Sequence, residues 1–285
     1  MNRILPFLGI MLLCSLKGKA QLTPFQIGDS AIRMMGNGKF EAGWNLIESI
    51  PREQIDPGDW IVANQYAYLR GDTIRFFDCI SYLCREYGFT LTNQHSGLAY
   101  YEALNSGKYS ERFMNIQNES LPYFMQKKHR VLQTIRELDE MRIRDQLRGQ
   151  VNQALLKTDS CFNKCSGTLI DHLNEINFEK LIQICNKTGI FPNNFDLHYN
   201  ATATAYLILW HNCSDSINYE EKWSKVWPYL DEAYSQGKIN NAFVLTYDYF
   251  LARYLGYQLF GTVAGDVAIK DMDGLRERRR KYHLE

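Results

Sequence analysis

The sequence predicts an all-α protein. Apolar residues recur every three or four positions through most of the 285-residue chain, and glycines follow several of these periodic segments. No convincing run alternates apolar and polar residues as a strand does. We expect helical hairpins over residues 21–125, packed on or linked to a multi-helix domain over residues 126–285, with a leader at residues 1–20.

The N-terminus is typical of a secretory signal peptide. Arg3 precedes a short apolar run that ends at Leu16, and Gly18 and Ala20 are small residues of the kind that signal peptidase accepts. An apolar run of this length is too short to cross a bilayer core about 30 Å thick. We therefore expect an exported protein, periplasmic or extracellular, whose mature chain begins at Gln21.

The composition is that of an ordinary globular protein, with 45% hydrophobic and 22% charged residues. The 32 basic residues balance the 32 acidic ones, which argues against a nucleic-acid partner. No second apolar run reaches membrane-spanning length, so we expect no membrane span and a protein that is soluble after export.

Six cysteines follow the leader, and an even number in an exported protein permits disulfides. They are Cys79, Cys84, Cys161, Cys165, Cys185 and Cys213. Cys161 and Cys165 can bridge each other only if their segment is not a regular helix, because helical positions i and i+4 hold their Cβ atoms too far apart.

Three similar turns divide the predicted hairpin region. They are Gly38-Lys39-Phe40, Gly71-Asp72-Thr73 and Gly107-Lys108-Tyr109, spaced by 33 and 36 residues. Helical periodicity on both sides of each turn resembles tetratricopeptide repeats, whose period is about 34 residues. The alternative is that such turns are common connectors between unrelated helices. Pro122 is expected to interrupt the last helix, so that residues 90–125 form an irregular cap.

The C-terminal part is predicted to hold five helices. They cover residues 127–156, 178–187, 201–211, 219–235 and 242–255. A polar segment over residues 158–167 is expected to be a loop, and residues 263–269 are the one segment whose structure the pattern leaves ambiguous.

A series of short motifs runs through the C-terminal half. In chain order these are Asp145-Gln146-Leu147-Arg148, Asn177 to Leu181 with Ile184, Gly189 and Pro192, then His211, Asp248, Gly256 to Thr262, and Arg279 shortly before Leu284. Their order and spacing resemble the uncharacterised bacterial family known as domain of unknown function 6624. The resemblance implies an all-helical fold and a set of candidate positions, with no established activity. Trp210 and Tyr249 stand where the family has glutamine and arginine, which puts in doubt any site that needs those side chains.

Three of these residues are catalytic candidates. His211 ends an apolar helix, where it can act as a general base, and Asp248 or Asp145 can orient it. The structural alternative for His211 is an interaction with the last helical carbonyls. For Asp248 the alternative is an ion pair with Arg279 or Arg253, because a carboxylate on an apolar helix needs a partner.

The ligand-binding candidates are Gln258, Thr262, Arg148 and Arg279, which could hold an anionic or carbonyl group. Gln258 and Thr262 could equally be loop hydrogen-bonders. We predict no metal, because His172 and its neighbours lack the spacing of a zinc site. We also predict no cofactor, because no phosphate-binding loop, dinucleotide fingerprint or nucleophile elbow occurs.

Two functional hypotheses remain. In the leading one, the hairpins form a binding or scaffolding surface for a protein or peptide, which aromatic residues contact unless they belong to the core. These aromatics are Tyr66, Tyr68, Phe76, Tyr82, Tyr100 and Tyr101. In the alternative, the protein is a hydrolase-type enzyme, which requires His211, Asp248, Asp145 and Gln258 to converge in one pocket.

Overall fold

The all-α prediction is confirmed. The computed structural model describes residues 22–92, 95–155, 160–213 and 219–284, with the backbone alone for residues 148, 151–155 and 160–170. These residues form twelve α-helices, one 3₁₀ turn and a single sheet of two very short strands. The predicted signal peptide, residues 1–20, lies outside the described residues.

The chain divides into two compact units, Met1–Ile55 and Asp56–Glu285. The first unit holds helices α1 (Pro24–Gly36) and α2 (Phe40–Ile47) and a 3₁₀ turn at Arg52–Gln54. A reciprocal capping box starts α1, in which Thr23 and Gln26 each bond the other's backbone N–H through their side chains. The predicted turn after α1 is confirmed, with Gly38 at a φ of 80°.

The second unit begins with two further helical pairs, α3 (Pro57–Leu69) with α4 (Thr73–Tyr87) and α5 (Tyr101–Asn105) with α6 (Ser110–Lys127). The predicted turns at residues 71–73 and 107–109 lie within these two pairs. The grouping of residues 21–125 into one region, its boundary at residue 125 and its repeat ancestry stay predictions.

The expected interruption at Pro122 is wrong, because α6 runs without a break through this proline. A proline inside a helix removes the hydrogen bond to the carbonyl four residues earlier, which here belongs to Asn118. Asn118 and Pro122 are both exposed, so water can reach that carbonyl. Buried Phe113 and Phe124 hold the helix on either side of the defect.

Three of the six aromatics expected on the hairpin surface belong to the core, and the other three are half-buried. Phe76 and Tyr100 are 1% and 0% exposed, and Tyr101 is also buried. The rings of Phe76 and Tyr100 meet edge-on, with centroids 5.4 Å apart and planes at 65°. Burial of such large rings stabilises the helical pairs. These three rings are therefore unable to contact a partner as the first hypothesis supposed.

The C-terminal part follows with the remaining elements. They are α7 (Leu132–Leu155), α8 (Ser160–Thr188), α9 (Ala201–Asn212), α10 (Tyr219–Ser235), α11 (Ala242–Leu255), β1 (Tyr257–Gln258), β2 (Ala268–Ile269) and α12 (Leu275–Lys281). The helices predicted over residues 201–211, 219–235 and 242–255 are confirmed to within one residue. The ambiguous segment supplies β2, which pairs in parallel with β1.

Two boundaries differ from the prediction. The helix expected from residue 127 begins at Leu132 instead, because Lys128 turns inward and its Nζ donates to the carbonyls of Phe195 and Asp196 at 2.8 and 2.9 Å. The loop expected over residues 158–167 is helical from Ser160 onward, so the helix predicted over residues 178–187 is the last part of α8, which begins at Ser160. A polar composition does not exclude a helix, since extending an existing helix requires only local bonds.

Among the cysteines whose side chains are described, Cys79, Cys84, Cys185 and Cys213 are buried, and Cys84 and Cys185 are free thiols. Burial raises the pKa of the Cys84 and Cys185 thiols to about 12, which makes them poor nucleophiles. The segment holding residues 161 and 165 is a regular helix, so the stated condition for a bridge between them is not met. Across the described parts of the chain, no helix combines the length and apolarity that crossing a membrane requires.

Candidate functional site

Asp248, a predicted catalytic residue, anchors the loop that follows α11. Its side chain is fully buried. Oδ1 accepts from the backbone N–H groups of Leu259 and Phe260 at 2.7 and 3.1 Å. Oδ2 accepts from the N–H of Phe260 and from both the N–H and the hydroxyl of Thr262, at 3.1, 3.0 and 2.9 Å. These bonds offset the cost of burying the carboxylate, and neither of the arginines expected as its ion-pair partner is among them.

Gln258 fixes the same loop from the inside. It is 3% exposed, and its Oε1 accepts from the N–H of Val263 at 2.8 Å. Its Nε2 donates to the carbonyls of Val263 and Val267 at 3.2 and 3.1 Å. The side-chain amide thus has partners on both of its polar atoms within the loop, which matches the structural alternative for Gln258.

Arg279 fixes the loop from α12. Its Nη1 donates to the carbonyls of Phe260 and Gly261 at 2.9 and 3.3 Å, and its Nη2 donates to the carbonyl of Leu284. The neighbouring Arg278 donates from Nε to the carbonyl of Leu259 at 3.0 Å. Four predicted site residues, Asp248, Gln258, Thr262 and Arg279, are therefore brought together, and their hydrogen bonds hold the loop.

The loop forms one wall of an aromatic cleft of about 530 Å³. The cleft is lined by Trp223, Ser224, Trp227, Pro228, Tyr247, Leu259, Phe260, Arg278, Lys281 and Tyr282. The half-buried Trp227 ring lies 5.0 Å from Tyr247 and 6.0 Å from Phe260, to which it is nearly parallel at 19°. Tyr282 meets Trp227 edge-on at 6.0 Å. The sequence analysis missed this cleft, although the density of aromatic residues between 219 and 282 was a usable signal.

The rim of the cleft carries positive charge. Lys281 lies 2.7 Å from Asp231, and the Tyr282 hydroxyl donates to the other oxygen of the same carboxylate at 2.8 Å. Arg278 pairs with Asp271. Burial, followed by nearby negative charge, raises the pKa of Tyr247 to about 12, so its phenol is neutral at physiological pH. The cleft therefore has apolar walls, neutral phenols and two cationic side chains.

The other predicted catalytic residues, His211 and Asp145, form a separate pair. His211 Nδ1 lies 2.5 Å from Asp145 Oδ1, where the side chains are 23% and 5% exposed. A carboxylate at Nδ1 orients the imidazole and makes Nε2 its basic atom in the neutral ring. The contact joins the C-terminal end of α9 to α7. The side chain of Arg148 lies outside the described residues.

Two of the departures from the motif pattern, Trp210 and Tyr249, contact each other; the third is Asn212-Cys213, where the motif has Ala-Asp. Trp210 stacks on Tyr249 with ring centroids 5.8 Å apart and planes at 15°, and the two residues are 42% and 39% exposed. Arg253 donates from Nη1 to the Tyr249 hydroxyl at 3.0 Å. An aromatic pair thus occupies the surface beside His211.

No known protein family, curated protein or solved structure matches the chain. The resemblance to domain of unknown function 6624 and to tetratricopeptide repeats therefore stays a prediction. Among the described residues, no group of three or more histidine, cysteine, aspartate or glutamate side chains is placed to hold a metal ion.

Proposed function

We propose that the protein is an exported helical binding protein that holds a small ligand in the aromatic cleft. The observation that carries the proposal is the cleft itself, whose 530 Å³ volume falls in the usual range for small-molecule sites. Export is supported by the signal-like N-terminus, and a protein or peptide partner for the helical hairpins stays a separate prediction.

The walls favour a flat apolar group in the ligand. Trp227 is only partly buried by its neighbours, so a second ring can stack on its face or meet its edge. The carboxylate of Asp248 fixes the Phe260 backbone opposite Trp227, which keeps the wall in place before a ligand arrives. A preorganised wall lowers the ordering cost of binding.

The rim favours an acidic group at the other end of the ligand. Helix α12 carries five basic residues and one acidic residue between Arg276 and Lys281. Two of these, Arg278 and Lys281, line the cleft. The Lys281 ammonium has more N–H donors than its ion pair with Asp231 uses. Arg278 also donates to the carbonyls of Leu259, Lys270 and Asp271, so it contributes chiefly its charge. An aromatic carboxylate, sulfonate or phosphate would satisfy both the walls and the rim.

A fluorescent aromatic sulfonate, anilinonaphthalene sulfonate, tests the proposal. We expect saturable binding to the purified protein, with transfer of excitation energy from tryptophan. Ser224 lines the cleft from an exposed position on α10, so Ser224→Trp should fill the cleft and abolish binding. Ser235→Trp is the matched control, because Ser235 is also exposed on α10 and its hydroxyl likewise bonds the carbonyl three residues earlier. Equal binding by both variants would reject the cleft as the site.

A second candidate function is hydrolysis, with His211 as general base. It is favoured by one observation, the 2.5 Å contact that orients His211 through Asp145. We expect His211→Gln to lower the rate of p-nitrophenyl acetate hydrolysis at least about 100-fold. His129→Gln is the control, since His129 is exposed and lies outside the pair. If the two variants hydrolyse the ester equally fast, the catalytic role is excluded.

A further inference from the structure

A groove between α8 and α10 lies apart from the aromatic cleft. Its volume is about 570 Å³, and its walls are one face of α8 within residues 175–183 and the part of α10 within residues 221–225. Although α10 contributes to both sites, no described residue lines both the groove and the cleft. The volume of the groove lies in the usual range for small-molecule sites.

A buried lysine fixes a carboxylate at the edge of the groove. Lys222 is 6% exposed, and its Nζ donates to Glu175 Oε1 at 2.6 Å and to Asn212 Oδ1 at 3.3 Å. A buried ammonium group requires such bonds. The Glu175 side chain is itself 49% exposed, and a carboxylate has about four acceptor sites, so it can accept further bonds in the groove. The acceptor is held in place before a ligand arrives, which lowers the ordering cost of binding.

A second ion pair lies on the α10 wall. Lys225 Nζ is 2.6 Å from Glu221 Oε1, and both side chains are more than half exposed. An ammonium group has three N–H donors, so this pair leaves Lys225 able to donate to a ligand. On the α8 wall, Glu179 and Gln183 are exposed, and neither side chain bonds another described residue. The groove therefore presents both donors and acceptors to solvent.

The charges of the groove favour a neutral ligand. Three carboxylates and two ammonium groups line it, and four of these five groups form the two ion pairs. An anion would meet the carboxylates and a cation would meet the ammonium groups, so the groove complements neither sign of charge throughout. A hydroxyl group both donates and accepts, so it can bond a carboxylate and an ammonium group at once. Such charge-assisted bonds are stronger than bonds between neutral groups.

Apolar side chains lie among these polar groups. Phe178 and the half-buried Ile182 are one turn apart on α8, and both line the groove. Contact with them removes apolar surface of a ligand from water. A ligand that fits the groove thus needs C–H groups on one face and hydroxyl groups around its edge, which is the chemistry of a sugar ring.

We propose that the groove binds a neutral disaccharide, whose hydroxyl groups donate to the carboxylates and accept from Lys225. The C–H face of one sugar ring packs against Ile182 and Phe178. The inference does not rest on the proposed function, because the groove and the aromatic cleft share no described lining residue.

Maltose, cellobiose, lactose and diacetylchitobiose are the probes, each at millimolar concentration. Saturation-transfer difference NMR on the full chain should show saturable binding of at least one of them, with the strongest transfer to ring C–H protons. The fully methylated form of the same sugar should not bind, because its oxygens can no longer donate to the carboxylates. High salt should change the affinity by less than about twofold, because the ligand carries no charge for the salt to screen.

Two pairs of variants test the location of the site. Glu179→Trp should fill the groove and abolish binding, whereas Asp171→Trp should retain it, because Asp171 is also an exposed acid on α8 and does not line the groove. Glu221→Gln should weaken binding at least about tenfold, because bonds to a charged carboxylate become bonds to a neutral amide. Glu232→Gln is its control, since Glu232 is exposed on α10 and likewise bonds the side chain four residues later.

Three results would overturn the proposal. The first is the absence of transfer to all four sugars, and the second is equal binding by Glu179→Trp and Asp171→Trp. The third comes from putrescine, an organic diamine tested in parallel. If putrescine binds and no sugar does, the unpaired charge of Glu179 selects the ligand, and the groove is a cation site.

Discussion

Replacement of Asp248 by asparagine tests the role that the structure gives this carboxylate. In Asp248→Asn, one oxygen that accepts from the loop becomes an NH₂ donor. If the amide replaces Oδ2, it faces the backbone N–H and the hydroxyl of Thr262, which now bond Oδ2 at 3.0 and 2.9 Å. The hydroxyl can rotate to accept from the amide, but the N–H of Thr262 cannot.

The expected loss of stability follows from the loss of one acceptor for a backbone N–H. One buried backbone donor without an acceptor costs about 1–3 kcal/mol, and the bonds that remain lose the strength that the carboxylate charge gave them. We therefore expect the free energy of unfolding to fall by about 2–4 kcal/mol, measured from urea transitions at unchanged slope. The opposite placement of the amide, at Oδ1, orphans the N–H of Leu259 and gives a similar value.

The matched control is Asp266→Asn, since Asp266 is exposed on the same loop. This change should alter the free energy of unfolding by less than about 0.5 kcal/mol. Asp248→Asn should also weaken binding of the aromatic sulfonate, because Phe260 loses its anchor. A cost below about 1 kcal/mol together with unchanged binding would refute the view that this carboxylate holds the cleft wall.

Three other predictions concern residues elsewhere in the second unit. Burial is the main reason why the pKa of Lys128 falls from 10.5 to about 8 in the folded protein. Between these two pH values the unfolded chain binds more protons than the folded chain, so the free energy of unfolding should rise with pH. The thermal midpoint, measured between about pH 7.5 and 9.5, should rise less in Lys128→Met than in the native protein. Gly88→Ala places a Cβ 2.8 Å from the Phe124 ring at a residue whose φ is 64°. Urea unfolding should show a loss in the free energy of unfolding at least about 1 kcal/mol larger than that of the control Gly237→Ala, where the φ is 66° and no atom lies within 4 Å of the new Cβ. Cys84, whose pKa is raised to about 12 by burial, should resist iodoacetamide at about pH 8 in the native protein and react in urea, as judged by mass spectrometry; labelling of the native thiol would contradict its burial.

The helices of the C-terminal part were predictable because their apolar stripes are regular and their ends carry clear signals. The helix predicted over residues 242–255 has the bounds that the structure gives it, and Gly256 ends it at a φ of 73°. The inward turn of Lys128 was not predictable, because its partners are the carbonyls of Phe195 and Asp196, far away in the sequence. Pro122 was misjudged because a local rule ignores whether the freed carbonyl is solvated.

The sequence predicted which residues lie at the candidate site, but it did not predict what their side chains do there. The motifs selected Asp248, Gln258, Thr262 and Arg279, which do lie together. Their side chains bond the backbone of one loop, and a sequence does not reveal which backbone groups will need partners. The pairing of His211 with Asp145 was one of two options that the motifs left open, and only the packing of α9 against α7 favours it.

Hydrogen-bond partners separate the two kinds of buried polar residue in this protein. Asp248 is fully buried, and both of its oxygens bond N–H or O–H groups of the chain, so its burial is explained by the fold. His198 is buried almost as deeply, but its Nε2 has no hydrogen-bond partner among the described residues. Because a fold gains nothing from an unpaired donor, the second kind of residue is the better indicator of a ligand.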